Sequence, residues 1–254
     1  MVIKLNTSNA LILDTETHDL NGLVIQLAHA ELQFQPQDGK STPIMQHQTL
    51  FNEMYSIGDQ KITHGSMAVH NIIDSDLIGK PHTSTIQLPF DEGYIIGHNI
   101  DYDINALQLS TGQPCKLKPI CTLALARLAW PNLEAHKLTT LIYHIYGSTE
   151  FARNLVQNSH DAATDIRNTA HVVTAICNEL QIQSIEELYE IGLKARIPTI
   201  MPFGKHKGMA ISEVPTPYMN WYIAKSDNPD PYILQAFNEQ ISQRKYFKKP
   251  SKTD

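Results

Sequence analysis

Ala10-Leu11-Ile12-Leu13-Asp14-Thr15-Glu16-Thr17 (ALILDTET) opens on four apolar residues and then sets two acids two positions apart. Strand side chains alternate between faces, so a strand here sends Asp14 and Glu16 out of the same face. The apolar residues ahead make this the end of a buried element and bring both carboxylates into or near a partly desolvated spot. Two unit charges about 4 Å apart repel by about 4 kcal/mol at an effective dielectric of about 20. Such a pair needs a counter-charge. Taken alone, Asp-x-Glu reads more readily as two acids in a surface loop, so the rest of the chain has to decide.

Outward from this stretch, the turn at Asn21-Gly22 leads into a second strand predicted over residues 23–34, and a third over 46–51. Tyr94 to Gly97 reads as a short buried strand, followed by a helical pattern over 102–109. Residues 119–122 read as the end of another strand, and helical periodicity follows at Leu123, Ala126 and Leu128 and again at Leu138, Leu141, Ile142 and Ile145. The strongest helix follows Ser159: Ala162, Ile166, Ala170, Val173 and Ile176 recur close to the 3.6 period, with Ser159 or Asp161 as cap. Strands first and helices later predict an α/β fold, a mixed sheet flanked by helices.

The texture changes after about residue 182, so residues 1–182 are expected to form one domain and 183–254 a small α+β module. That module holds a short helix from Ser184, prolines at 198 and 202, the turn Phe203-Gly204-Lys205-His206-Lys207-Gly208, helices over 218–224 and 231–243, and a basic tail, RKYFKKPSKTD. The turn lacks the GxxxxGK[ST] spacing of a nucleotide-binding loop, though its lysines and backbone N–H groups suit phosphate. Tyr218, Trp221 and Tyr222 are expected to fill the module's core, with base stacking as the other use of such rings.

Composition narrows the function. Of 254 residues, 42% are hydrophobic and 18% charged, which excludes wholesale disorder. No apolar run approaches the ~18 residues of a membrane span, and the N-terminus does not read as a signal peptide. Cys115, Cys121 and Cys177 form no disulfide framework, which fits a reducing cytoplasm. The net charge of -6 is graded: residues 1–100 carry four Lys/Arg against eleven Asp/Glu, residues 101–180 six against seven, and residues 181–254 ten against eight. An acidic front half argues against a protein that coats polyanions everywhere and leaves room for a pocket that recruits divalent metal.

Two further segments bear on the acid pair. In GHNIDYDINAL, Asp103 sits in the first helical turn after the buried strand, where the helix dipole also favours an acid; Asn99 can hold the corner or touch a ligand. In SHDAATD, His160 lies at the mouth of the long helix and Asp165 more than one turn inside it. A histidine beside acids and metal can take a proton from water, since its ordinary pKa is close to operating pH.

The order and spacing of D-x-E, N-x3-D and H-x4-D resemble the DEDDh (DnaQ-like) family of 3′→5′ exonucleases. Asp14 and Glu16 match its first motif, His98, Asn99, Tyr102 and Asp103 its second, and His160 and Asp165 its third; Ala68 and His70 in ITHGSMAVHNI fit the stretch before the second motif. The branch with a tyrosine base would have Tyr at position 161, which here is Asp. Gln26 stands where relatives often have Glu. The ICT…LARLAWP segment and the FGKHKG turn extend the resemblance over nearly the whole chain.

The resemblance implies a ribonuclease H-like fold and hydrolysis of phosphodiester bonds at DNA 3′ ends, with RNA ends, or end-binding without catalysis, as alternatives. It implies two divalent cations, Mg²⁺ or Mn²⁺, held by Asp14, Glu16, Asp103 and Asp165, with His160 as general base. Thr15, Thr17, Leu20, His70 and Asn99 are the expected substrate contacts. The partner is a nucleic-acid 3′ end, with no membrane; a homodimer is left open.

Overall fold

A computed structural model describes residues 10–37, 40–45, 50–157, 159–226 and 229–247. The contacts divide the chain into two compact units, Met1–Gly192 and Leu193–Asp254, a division ten residues beyond the expected boundary at 182.

The first unit is built on a mixed sheet. β1 (Ala10–Thr17) pairs antiparallel with β2 (Val24–Gln37) and parallel with β5 (Tyr94–Gly97), which in turn pairs parallel with β6 (Lys118–Cys121). The far side of β2 is shared: β4 (Phe51–Met54) takes residues 26–29 and β3 (Lys40–Met45) takes 32–37. Of the predicted third strand over 46–51, positions 46–49 lie outside the described residues and Phe51 opens β4, while β3 has no counterpart among the sequence predictions. β1 is central and covered on both sides, which is why it reads as a continuous apolar run.

The helices follow as α1 (His64–His70), α2 (Asp101–Thr111), α3 (Thr122–Ala129), α4 (Leu138–Tyr146), α5 (Glu150–Val156), α6 (Ala162–Leu180) and α7 (Ile185–Ala195). α1 and α5 have no counterpart among the sequence predictions. Each is seven residues long, too short to show a helical period, and each is started by a threonine whose side chain accepts a backbone N–H, Thr63 from Ser66 and Thr149 from Ala152. α6 carries the periodic stripe: Ala162, Ile166, Val173 and Ile176 are fully buried and Ala170 half-buried, the unpredicted Val172 is buried beside them, and the helix packs on β1, β2 and β3. Each buried Ile or Val side chain contributes on the order of 2 kcal/mol. Its cap is Asp161, which accepts from Thr164 N, while Ser159 Oγ donates to the Val156 carbonyl.

The second unit contains α8 (Thr216–Lys225) and α9 (Pro231–Phe247) around a core of Met201, Val214, Met219, Tyr222, Ile233 and Phe237. Its β structure among the described residues is a single bridge, Ile200 to Ala210. The tail from residue 248 lies outside the described residues.

Candidate active site

Three chain segments converge at the end of β1: the strand itself, the corner leading into α2 and the turn leading into α6. Asp14 and Glu16 leave the same face of that strand, as its alternation requires. The register with β2 shifts between Glu16 and Thr17, a bulge that re-aims the chain just past the second acid. Asp103 arrives from the first turn of α2. Gly97 makes this corner possible: a Cβ there would meet Ile100 Cδ1 at 2.7 Å and the Leu13 carbonyl oxygen at 2.9 Å. Asn99, in the same corner, is exposed and left-handed at φ 72°. Asp165 projects from the first turn of α6. His160, exposed just before the helix, is held at φ 68°, and its N–H donates to Asp165 Oδ2 at 3.1 Å. A non-glycine residue at such an angle is uncommon and marks a constrained corner.

Glu16, His160 and Asp165 each offer a ligand atom within 4.8 Å of the others. Asp103 is tied back to β1 by Thr15, whose N–H and hydroxyl both donate to Asp103 Oδ1, at 2.9 and 2.8 Å. The Thr15 hydroxyl is therefore engaged with the acid. Beyond the bulge, Thr17 is buried against the Tyr102 hydroxyl and donates to the Asp19 carbonyl. Leu20 stands 74% exposed. His70 is buried; its Nδ1 accepts from Ile72 N at 3.0 Å, and its Nε2 has no hydrogen-bond partner. Burial holds the His70 ring below its ordinary pKa.

The acids crowd one another. Burial, then Asp103, Asp165, Glu16 and Asp161, push Asp14 well above the usual carboxylate range. Burial and the same kind of neighbours push Glu16 up to about 8. Burial raises Asp103 to about 7 against the stabilising pull of Thr15, and Asp165 to about 6 against that of the His160 N–H. No lysine or arginine is paired with any of them among the described residues. Asp165 Oδ1 is buried without a hydrogen-bond partner. An orphaned carboxylate oxygen among raised, uncompensated acids fits a divalent cation, and an oxygen-rich donor set suits a hard one.

Two residues matched to motifs or noted as departures do other work. His98 is not part of the acid cluster. Its Nδ1 pairs with Thr122 Oγ1 at 3.0 Å and its Nε2 with the His136 carbonyl at 2.9 Å, and burial lowers its pKa to about 4. Gln26 is buried opposite Glu16 in the sheet and reaches the start of α6, where its Nε2 donates to Asp161 Oδ1. Sequence reading missed this link between strand and helix, and also the part Asp161 plays in raising its acidic neighbours. The one available signal was the cap position of Asp161.

Exodeoxyribonuclease 10 of Escherichia coli strain K12 is 26% identical over 227 residues, covering 87% of this chain and 94% of that protein. The protein of the same name from E. coli O6:H1 matches equally. A solved structure, exonuclease X in complex with 5′ overhanging duplex DNA, superposes with a TM-score of 0.52 at 24% identity, over 72% of this chain and 99% of that one. It shows that the fold is the ribonuclease H-like one. Residues 190–236 match a family described as "Putative quorum-sensing-regulated virulence factor". With its sheet and helices matched to a solved exonuclease and its sequence aligned over most of its length with exodeoxyribonuclease 10, this chain resembles the DnaQ-like exonucleases, exodeoxyribonuclease X among them.

Proposed function

We propose that the chain is a metal-dependent 3′→5′ exodeoxyribonuclease that releases nucleotides from DNA ends. The observation that supports this most is the meeting of Glu16, His160 and Asp165, from segments far apart in sequence, with ligand atoms within 4.8 Å and an unpartnered oxygen on Asp165. The likeness to proteins named exodeoxyribonuclease favours DNA over RNA.

Asp14, Glu16, Asp165 and Asp103 would hold two cations, Mg²⁺ or Mn²⁺, Asp14 serving both. When bound, the cations neutralise charge developing on the phosphoryl oxygens and acidify the attacking water. His160 accepts the water's proton on a ring nitrogen as the oxygen attacks phosphorus; its exposure leaves that nitrogen open to solvent for return of the proton. The bond to the 3′ oxygen breaks, giving a nucleoside 5′-monophosphate and a strand one residue shorter whose new 3′ oxygen takes up a proton. Thr15 steadies Asp103 in this scheme. Thr17 and Leu20 would wall the terminal nucleotide, and His70 and Asn99 would contact its sugar or phosphate. The free state of all three cysteines accords with a cytoplasmic setting, and no described helix is long and apolar enough to cross a membrane.

The test is an oligonucleotide labelled at its 5′ end, offered as DNA and as RNA, with Mn²⁺ or Mg²⁺ and with EDTA. Metal-dependent laddering of DNA by single nucleotides is expected. Faster trimming of RNA moves the substrate to the ribonuclease branch, and binding without shortening makes the protein an end-binding scaffold.

A further inference from the structure

The two units carry opposite charge. Residues 1–192 hold ten Lys/Arg against twenty-one Asp/Glu, whereas residues 193–254 hold ten against five. A polyanion is therefore repelled by the first unit taken as a whole and attracted by the second.

The aromatic residues of the second unit are not all spent on its core. Tyr222 is buried in it, but Trp221 stands 57% exposed, against the expectation that it would be core. On α8, Tyr218, Trp221 and Lys225 are spaced by three and then four residues, so they share one helix face. The rings form a continuous run: His206 meets Tyr218 edge-on with centroids 4.5 Å apart, and Tyr218 meets Trp221 at 5.6 Å with a 36° tilt.

The turn that carries His206 is closed down on this run. Gly204 is left-handed at φ 71°, and a Cβ there would lie 3.0 Å from the Tyr218 hydroxyl, so the turn requires glycine. Lys205 and Lys207 flank His206 and are exposed, as is Lys225. None of the three is paired with an acid among the described residues. Trp221 is exposed and Tyr218 and His206 are half-buried behind it. An exposed ring backed by others and bordered by ammonium groups offers the two parts a single strand of nucleic acid needs, a face on which a base stacks and charges that follow the phosphates.

We propose that the face formed by Lys205, His206, Lys207, Tyr218, Trp221 and Lys225 binds single-stranded DNA, as a site separate from the acid cluster. Only the identity of the ligand rests on the nuclease reading. Each stacked base and each phosphate contact adds affinity that the acidic unit cannot supply.

The experiment measures binding of a fluorescein-labelled oligothymidylate to the full chain in EDTA, by anisotropy, so that no hydrolysis intervenes. Trp221→Ala is expected to weaken binding about 5- to 100-fold, and Trp221→Phe to retain most of it. Replacing Lys205 and Lys207 together by glutamine is expected to lower the dependence of log K on log salt by about 0.7 per lysine. In a Trp130→Phe chain, Trp221 is the remaining tryptophan, and its emission is expected to be quenched by the oligonucleotide. Binding unchanged by Trp221→Ala, emission unchanged at saturation, or equal competition by polyglutamate each overturns the proposal. Hydrolysis assayed in parallel with Mn²⁺ separates the two readings. Loss of hydrolysis with Trp221-dependent binding overturns the active-site reading alone. Hydrolysis with Trp221-independent binding overturns only this one.

Discussion

Gln26 Nε2 donates to Asp161 Oδ1 at 2.9 Å, which ties the second strand to the cap of the helix that carries Asp165. The same amide nitrogen lies 3.1 Å from Asn52 Oδ1, and the amide oxygen accepts from Ala162 N at 3.4 Å. The amide both donates and accepts here, which a carboxylate cannot do at neutral pH. A glutamate would lose the donor and face Asp161 with a second negative charge. Gln26→Glu is expected to cost about 1–3 kcal/mol at pH 8. The cost shrinks at pH 5.5, where a buried glutamate keeps its proton and can donate. Denaturant unfolding at the two pH values measures this; a cost independent of pH would dissociate Gln26 from Asp161.

Raised acids make metal-free stability fall with pH. Glu16 and Asp103 hold protons up to about 8 and about 7, and Asp14 well beyond its ordinary range. Between about pH 6.5 and pH 8 the native state thus binds more protons than the unfolded chain, and stability declines as pH rises. Below about 6.5 the buried His29 and His98, both lowered to about 4, oppose this trend, because unfolding lets them charge. In EDTA the thermal midpoint is therefore expected to drop from pH 6.5 to pH 8.5. Mn²⁺ competes with protons for the carboxylates, so its stabilisation, about 2.7 kcal/mol at a hundredfold excess over Kd, is expected to be larger at the higher pH. A midpoint in EDTA that climbs over this range would contradict the crowding of the acids.

His160 is close enough to Glu16 and Asp165 to be either a base or a ligand. As the base, His160→Ala lowers kcat by about 10²–10⁴ while the Mn²⁺-induced rise in thermal midpoint persists. Single-turnover cleavage and thermal scans on the same variant decide it. Disappearance of the Mn²⁺ shift would make the imidazole a ligand.

Thr15→Val keeps the backbone donor to Asp103 and removes the hydroxyl at 2.8 Å. Losing that bond costs about 1 kcal/mol and holds the Asp103 proton more tightly. The acidic limb of the pH–rate profile is expected to move to higher pH, with activity recovering as pH rises. An unmoved limb would show that Asp103 ionisation does not govern the rate.

Gly97→Ala forces a methyl group toward the Leu13 carbonyl and Ile100 at the corner that aims Asp103. Overpacking of this kind costs about 1–3 kcal/mol. Activity is expected to fall beyond what the unfolded fraction explains, because the start of α2 must shift. Wild-type kcat in the folded variant would show that the corner has slack.

The sequence by itself determined the pieces. Alternation put Asp14 and Glu16 on one strand face, the 3.6 period located α6, and the order of the acids carried the resemblance to the DnaQ-like exonucleases. Such patterns are written by neighbours in the chain, whose spacing fixes which way side chains leave a strand or helix. The tertiary structure decided which pieces meet. Thr15 bonds Asp103 across 88 positions, and Gln26 bonds Asp161 across 135. His98, though matched to a motif, turns away to Thr122 and the His136 carbonyl. Helical spacing alone could not say that Tyr222 would be buried and Trp221 left in solvent. Those outcomes depend on register, on one bulge and on what packs opposite, none of which local periodicity encodes.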